Sequence, residues 1–128
     1  MTKQKVILEY HLNKVAVNRV WNFIDNSHGL ADWFADEVSE QGDIFTFHWG
    51  KDHVQEAVLK KKKELVYMRF QWLEDKDSDC FFEIRLQFQE LTRDLMLIVT
   101  DFAEADETED LKMLWQQQID TLCRKLGI

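Results

Sequence analysis

The amino-acid sequence predicts an α+β fold in which one strand, two short helices, six further strands and a long final helix follow one another. Three observations support this order. Apolar residues alternate near the start, a short segment of helical spacing follows, and a longer helical stripe closes the chain. Between the helices, polar turns separate alternating segments at short intervals, which is typical of an antiparallel meander. The sheet is therefore expected to hold about seven strands.

The first strand and the helix pair occupy the start of the chain. Residues 5–12 alternate, and their apolar members share one face. Two short helices are predicted within 17–34, because apolar residues recur there at helical spacing. Gly29 separates the two helices, and Ser27 is the candidate N-cap of the second. The apolar residues of the two helices are Val20, Phe23 and Ile24, then Leu30, Trp33 and Phe34.

The six later strands are predicted from alternation and from the polar turns between them. The turns are Gly42-Asp43, Gly50-Lys51-Asp52, Lys60 to Glu64, Asp75 to Asp79 and Thr92-Arg93-Asp94. Apolar residues share one face of each of three strands, and polar residues occupy the opposite face, so one side of the sheet is expected to face water. The apolar sets are Phe45, Phe47 and Trp49; Val66, Met68, Phe70 and Trp72; and Phe82, Ile84, Leu86 and Phe88. The last strand, 95–102, is apolar on both faces, so it is either central or covered on its outer side by a partner subunit.

The final helix is predicted from an apolar stripe and from residues suited to its two ends. The stripe consists of Leu111, Trp115, Ile119, Leu122 and Leu126. Asp106 is the candidate N-cap, with Glu109 three positions later as in a capping box. Arg124, Lys125 and Gly127 suit the carboxyl end.

Composition limits the classes of function. A chain of 128 residues is expected to form one domain, 1–128. Its formal net charge of −8 disfavours nucleic-acid binding. The first twelve residues fit neither a signal peptide nor a membrane span, so a cytoplasmic location without stable membrane insertion is expected. Cys80 and Cys123 have no metal-ligand spacing and are interpreted as buried thiols.

Several motifs together resemble those of one family. The matching segments are Val20-Trp21, Gly29 to Asp36, Gly42 to Phe47, Leu97 to Phe102, and Trp115 with Ile119 and Leu122. With the order of elements, they resemble START-like (SRPBCC, Bet v 1-like) domains, which include polyketide cyclases and the C-terminal domain of the activator of the Hsp90 ATPase. More narrowly, the chain is similar to small stand-alone START-like proteins of Bacteroidetes. The resemblance implies a helix-grip fold, in which a curved antiparallel sheet grips the C-terminal helix around a cavity, and it implies no particular reaction.

The candidate ligand cavity lies between the aromatic sheet face and the final helix. Its predicted residues are Phe45, Phe47, Trp49, Met68, Phe70, Trp72, Phe82, Ile84, Leu86, Leu111, Leu114, Trp115, Gln118 and Leu122. Small-molecule sites are mostly apolar concavities with a few polar groups, and Gln118 or Tyr67 is the candidate polar anchor. The alternative interpretation is that the aromatic side chains simply fill the core.

Other polar residues have both a functional and a structural interpretation. His48, His53 and Glu56 suggest a metal site but lack an established ligand spacing. Asp101 is either a buried acid with a raised pKa, and hence a catalytic base, or a residue that ends a strand. Glu83 and Arg85 are expected to form an ion pair on the outer sheet face, and Lys60–Lys63 a solvated turn.

The leading hypothesis is therefore a non-enzymatic protein that binds a small apolar or amphipathic molecule. The sequence predicts no catalytic set, metal or cofactor. Two alternatives stay open: a protein-interaction module related to Hsp90 activators, and a cyclase- or hydrolase-like enzyme that uses Asp101 or a histidine. A protein partner or a homodimer is compatible with the first two hypotheses.

Overall fold

The computed structural model describes residues 2–128 and contains seven strands and three α-helices. The strands are β1 (Gln4–His11), β2 (Glu37–Gln41), β3 (Ile44–Trp49), β4 (His53–Lys63), β5 (Tyr67–Trp72), β6 (Phe82–Gln89) and β7 (Asp94–Ala103). The helices are α1 (Val17–Trp21), α2 (Ser27–Leu30) and α3 (Thr108–Leu126), and 3-10 turns occupy Leu73–Asp75 and Ala105–Glu107. The predicted α+β order is confirmed, although α1 and α2 are shorter than the sequence pattern suggests.

All seven strands belong to one antiparallel sheet in the order β1-β7-β6-β5-β4-β3-β2. Strands β2 to β7 form a meander, and β1 joins it by pairing with β7, where Gln4 lies opposite Ala103. Strand β7 thus lies between β1 and β6, as expected for a strand that is apolar on both faces. Its outer residues Met96, Ile98 and Phe102 are half-buried.

The helices α1 and α2 fit closely against each other because Gly29 has no side chain. A Cβ atom at this position would lie 2.2 Å from the carbonyl oxygen of Asn22 and 2.8 Å from the Cα of Phe23. The cap of α2 is Asn26 rather than the predicted Ser27, since the Asn26 side chain accepts a 2.7 Å hydrogen bond from the Gly29 amide. An asparagine oxygen serves this purpose as well as a serine hydroxyl does.

The core fills the space between the inner face of the sheet and α3. Its largest fully buried side chains include Trp21, Phe45, Phe47, Phe70 and Phe82. Helix α3 covers these rings with its buried stripe of Trp115, Gln118, Ile119, Leu122 and Leu126. The rings contact one another edge-on or stacked, for example Phe70 on Phe82 with centroids 5.0 Å apart. Such close packing is the usual state of a protein interior.

Two predicted boundaries are wrong at the ends of elements. Lys60–Lys63 belong to strand β4, and the turn follows at 64–66, where Leu65 has a positive φ of 66°. The lysines remain exposed. Helix α3 begins at Thr108 without a side-chain cap, since Asp106 lies in the preceding 3-10 turn.

Three predicted environments also differ from the observed ones. Phe88 was expected on the buried face of β6, yet it is exposed near the end of the strand, beyond the cover of the core. Cys80 and Cys123 are half-buried free thiols rather than fully buried ones.

The outer face of the sheet carries one buried acid. Glu83 is 5% exposed and accepts hydrogen bonds from Arg69 on β5 and from Arg85 on its own strand. The two arginines also lie over aromatic rings, Arg69 over Phe81 at 4.1 Å and Arg85 over Tyr67 at 4.4 Å. A buried carboxylate needs such partners, so this cluster is sufficiently explained by its structural role.

In the part of the chain that the structure describes, no helix has the length and apolar character needed to cross a membrane.

Candidate ligand cleft

A cleft of about 390 Å³ opens between the sheet and the first half of α3. The sheet contributes residues from β3, β4, β5 and β7, while α3 and the segment after α2 supply the opposite wall. The lining residues are Phe34, Trp49, His53, Gln55, Trp72, Asp101, Leu114, Trp115 and Gln118. The cleft lies at the edge of the packed core rather than within it.

Four aromatic rings form most of the wall. Phe34 lies 5.4 Å from Trp115 and 5.9 Å from Trp49, measured between ring centroids, and Trp49 lies 6.1 Å from Trp72. Leu114 completes the apolar rim and is 51% exposed. Phe34 and Trp115 are only 4% and 2% exposed, whereas Trp49 and Trp72 are half-buried, so these two tryptophans and Leu114 supply most of the apolar area that a ligand can bury.

The carbonyl oxygen of Phe34 holds two of the walls together. It accepts a 3.0 Å hydrogen bond from the indole nitrogen Nε1 of Trp49 and a 2.8 Å bond from Nε2 of Gln118. Gln118 is only 9% exposed, so its bond joins α3 to the segment after α2 from within the core edge. The amide nitrogen of Gln118, the predicted polar anchor, is therefore already bonded to the protein.

Asp101 lies on the inner face of β7, next in the alternation after Leu97 and Val99. Its Oδ2 accepts a 2.9 Å hydrogen bond from Nε1 of Trp115, and its Oδ1 accepts a 2.7 Å bond from the Phe102 amide. Burial raises the pKa of Asp101 to about 6, although these two hydrogen bonds and the charge of Lys3 oppose the rise, and Asp75 adds to it. Desolvation favours the neutral acid, whereas bonds to the carboxylate favour the ion.

This raised pKa predicts a pH-dependent difference between the protein and its Asp101→Asn variant. The folded state holds a proton on Asp101 up to a pH of about 6, whereas the unfolded chain loses it near 3.8. Stability from this group is fully present below the unfolded pKa and declines as the pH rises through the folded one. The unfolding free energy of the natural protein relative to the variant should therefore fall by roughly 2 kcal/mol between pH 4 and 7.

Urea denaturation of both proteins across that pH range measures the difference. The other carboxylates are the same in both proteins, so their contributions to the pH dependence cancel. The substitution removes one hydrogen bond, but that loss is the same at each pH. If the difference in unfolding free energy between the two proteins stays constant with pH, the pKa of Asp101 is not raised in the folded state.

Two polar side chains of β4 form the outer end of the cleft. The Gln55 Nε2 donates a 2.6 Å hydrogen bond to Oε1 of Glu74, and the Gln55 Oε1 lies 3.2 Å from Nε2 of His53. The His53 ring is exposed and lies 5.3 Å from the ring of Trp49. This end of the cleft is thus the more hydrated one.

The structure brings some of the predicted cavity residues to the cleft and leaves others away from it. Those that line it are Trp49, Trp72, Leu114, Trp115 and Gln118. The remainder do not line this cleft, because they pack inside the core or, for Leu111, lie half-buried on α3. These are Phe45, Phe47, Met68, Phe70, Phe82, Ile84, Leu86, Leu111 and Leu122.

Four lining residues fall outside the predicted cavity set: Phe34, His53, Gln55 and Asp101. Asp101 shares the inner face of β7 with Leu97 and Val99, so the strand alternation carried a signal for it. Helical spacing assigned Phe34 to the apolar face of the second short helix, but α2 ends at Leu30, so the position of its ring depends on the path of the chain after that helix. The suggested trio of His48, His53 and Glu56 is separated, since alternation places His48 and Glu56 on the opposite face of the sheet from His53.

The class of protein is defined by an antiparallel sheet that grips a C-terminal helix beside an aromatic cleft. The sequence matches the family model for the START-like superfamily domain over residues 1–128, and the chain belongs to that superfamily. The resemblance found in the sequence is thus confirmed.

Solved structures agree with this assignment. A protein from Bacteroides fragilis, known from a solution NMR structure, is 42% identical, with a TM-score of 0.70 and coverage of 100% of this chain and 94% of that one. The Aha1 dimer from Colwellia psychrerythraea is 14% identical, with a TM-score of 0.80 and coverage of 98% and 97%. The AHSA1-like protein from Aeromonas hydrophila is 13% identical, with a TM-score of 0.74 and coverage of 97% and 92%. The last two share the fold alone. No functionally curated protein matches the chain.

Proposed function

We propose that the protein binds a small amphipathic molecule in the cleft between the sheet and α3. The observation that carries this proposal is an open cleft of about 390 Å³ walled by four aromatic rings, with the carboxyl group of Asp101 among them. Its size is within the range of small-molecule sites, roughly 300 to 1,000 Å³, and so is its mixture of apolar wall and few polar groups.

The position of the cleft decides what kind of ligand it suits. The core beneath it is packed, so a ligand would lie against Trp49, Trp72 and Leu114 at the surface rather than enter the interior. A second groove of about 390 Å³ shares Phe34 and Leu114 with the cleft. A ligand longer than the cleft can therefore extend over Leu114 toward the segment after α2. Burial of apolar area at roughly 25 cal/mol per Å² supports micromolar to millimolar affinity after ordering costs.

Titration with two neutral amphiphiles, 3-phenylpropanol and 1-octanol, tests the proposal. We expect saturable shifts of the side-chain indole signals of Trp49, Trp72 and Trp115 in ¹H–¹⁵N spectra, with dissociation constants below about 1 mM. Leu114→Gln should weaken binding by roughly threefold or more, because it removes the apolar rim. The proposal fails if neither alcohol saturates, or if the shifts map to the outer face of the sheet.

A matched control is available on the same helix. Met113 is 61% exposed, neighbours Leu114 in sequence and does not line the cleft. Met113→Gln removes a similar apolar side chain from α3, so it should leave both affinities unchanged. Equal losses in the two variants would point to a general effect on the helix rather than to the cleft.

Self-association through the outer sheet face is a second candidate function. Ile7 on β1 is exposed beside the half-buried Ile98 and Phe102 of β7, which leaves an apolar area open to a partner. The relative from Colwellia psychrerythraea is described as a dimer. Sedimentation velocity of the protein and of Ile7→Glu tests this candidate, which predicts a dimer for the former and a monomer for the latter. A natural protein that stays monomeric at high micromolar concentration would exclude it.

A further inference from the structure

We propose that the cleft selects an organic cation, an ammonium group attached to an apolar body, over neutral and anionic molecules of the same shape. This inference rests on the proposed function, because it names the chemical class of the ligand for the same cleft. It follows from which hydrogen-bonding groups of the lining are already used and which remain.

Two of the three indole N–H groups around the cleft already donate to the protein itself. The indole N–H of Trp49 donates to the carbonyl oxygen of Phe34, and that of Trp115 donates to Asp101. The amide nitrogens of Gln118 and Gln55 each donate one bond, to the Phe34 carbonyl and to Glu74, and each keeps a second N–H group. The donors left for a carboxylate or a phosphate are therefore uncharged amide, imidazole and indole groups, with no lysine or arginine among the lining residues.

The acceptors that remain for a ligand include both oxygens of one carboxyl group. Each carboxyl oxygen of Asp101 accepts one hydrogen bond from the protein and can accept another. In the described part of the chain, the Oε1 of Gln118 has no protein donor, although its residue lines the cleft. The remaining donors are the second amide N–H groups of Gln55 and Gln118, the ring nitrogens of His53 at the exposed end, and the indole N–H of Trp72. Because the carboxylate of Asp101 carries a full negative charge, this lining favours a cation over an anion.

The charge of the lining points the same way. The nine residues that line the cleft include one carboxylate and neither lysine nor arginine. The cation that acts on Asp101, Lys3, lies 3.4 Å from Asp75 and is partly neutralised by it. A ligand cation would supply Asp101 with a counter-charge inside the cleft. The net charge of −8 adds a long-range attraction for cations.

The aromatic rings supply the second element of cation recognition. Phe34, Trp49, Trp72 and Trp115 line the same cleft. Phe34 and Trp115 are nearly buried, so the half-buried Trp49 and Trp72 supply most of the ring surface that a ligand can reach. The face of an aromatic ring is negative and attracts a cation, most strongly for tryptophan. Several rings around one carboxylate suit an ammonium group that bears apolar substituents, since these contact the ring faces while the charge lies near Asp101.

Two ligands of equal shape and different charge test the selection. Benzyltrimethylammonium and its neutral carbon isostere, neopentylbenzene, are titrated into the ¹⁵N-labelled protein, and hydrocinnamate serves as the anion. We expect the cation to bind roughly tenfold or more tightly than the isostere, with shifts at the indole groups of Trp49, Trp72 and Trp115. The anion should bind more weakly than the isostere.

Three variants connect the preference to particular groups. Asp101→Asn removes the charge that attracts the cation, so it should reduce the ratio of the two affinities to within about threefold while leaving the affinity for neopentylbenzene nearly unchanged. Glu56→Gln removes the same charge from the opposite face of the sheet and should leave the ratio as it is. Trp72→Leu, at a half-buried ring, should weaken the cation more than the isostere and gives a second test if Asp101→Asn unfolds. The melting temperature and spectral dispersion of each variant check that it folds.

The outcomes distinguish this inference from the proposed function. If neopentylbenzene or hydrocinnamate binds the cleft as tightly as the cation, the selection for cations is wrong and the binding function stands. If none of the three probes and neither alcohol saturates, both proposals are wrong. A cation preference that Asp101→Asn and Trp72→Leu leave unchanged, in folded variants, also overturns the inference.

Discussion

Replacing Trp115 with alanine is expected to lower the free energy of unfolding by about 4 kcal/mol. The side chain is 2% exposed, and its ring packs against both Phe34 and Phe82, with centroids 5.4 and 6.4 Å away. Removing a buried tryptophan leaves a cavity, and such changes cost about 3 to 5 kcal/mol. The variant also leaves Asp101 without the 2.9 Å hydrogen bond from Trp115. A loss of this size is a large part of the total stability of a small domain, about 5 to 15 kcal/mol.

Chemical denaturation followed by circular dichroism measures this loss. Met113→Ala, at an exposed position two residues earlier in α3, should change the free energy by less than about 0.5 kcal/mol. Trp115→Phe keeps one six-membered ring but removes the rest of the indole with its N–H group, so its effect should be intermediate. A change below about 1 kcal/mol for Trp115→Ala would mean that α3 does not hold the core through this residue.

Replacing Gly29 with alanine should destabilise the protein by about 3 kcal/mol, even though alanine is the better helix former. Helix propensity alone favours alanine over glycine by up to about 1 kcal/mol. The added Cβ, however, would lie 2.2 Å from the Asn22 carbonyl oxygen, which belongs to the backbone and cannot rotate away. Relief of this overlap requires α1 and α2 to move apart, and forced insertions into packed structure cost typically about 1 to 3 kcal/mol and occasionally more.

Ser27→Ala is the matched control in the same short helix. The side chain that caps α2 is that of Asn26, which accepts the hydrogen bond from the Gly29 amide. Loss of the Ser27 hydroxyl should therefore change stability by less than about 0.5 kcal/mol. Thermal melting of both variants, compared with the natural protein, separates the two effects. An unchanged melting temperature for Gly29→Ala would show that the two helices are not in close contact at this point.

The sequence was sufficient to predict the fold because each sheet face and the α3 stripe have a clear period. The alternation in β3 places Phe45 and Phe47 on the inner face of the sheet. The helical stripe places Trp115 and Leu122 on the face of α3 that packs against it, so the two patterns predict the same arrangement. The errors fall where elements end. Lys60–Lys63 are a charged run that resembles a turn, yet β4 continues to pair with β5 through Lys61–Lys63, after a register shift at Lys60. An exposed strand end tolerates charge as easily as a turn does.

The cleft could be predicted only in part, because lining a cleft depends on how elements lie over one another. Trp49 and Phe47 share a face of β3. Other rings cover Phe47 completely, whereas Trp49, at the strand end, is only partly covered and lines the cleft. No sequence period distinguishes those two positions. The contribution of Phe34 depends on the path of the chain after α2, and its carbonyl bonds to Trp49 and Gln118 connect residues far apart in sequence.

The pairing of β1 with β7 has a consequence for how the chain reaches this structure. Gln4 lies opposite Ala103, so nearly the whole chain must close into a loop before the first strand finds its place, whereas β2 to β7 pair with sequence neighbours. Closing a long loop costs more entropy than closing a hairpin, and contacts distant in sequence slow folding. We therefore expect the meander to form first and β1 to add to it late. Because Asp101 lies on β7 directly opposite Val6, the carboxyl side of the cleft is completed only in that last step.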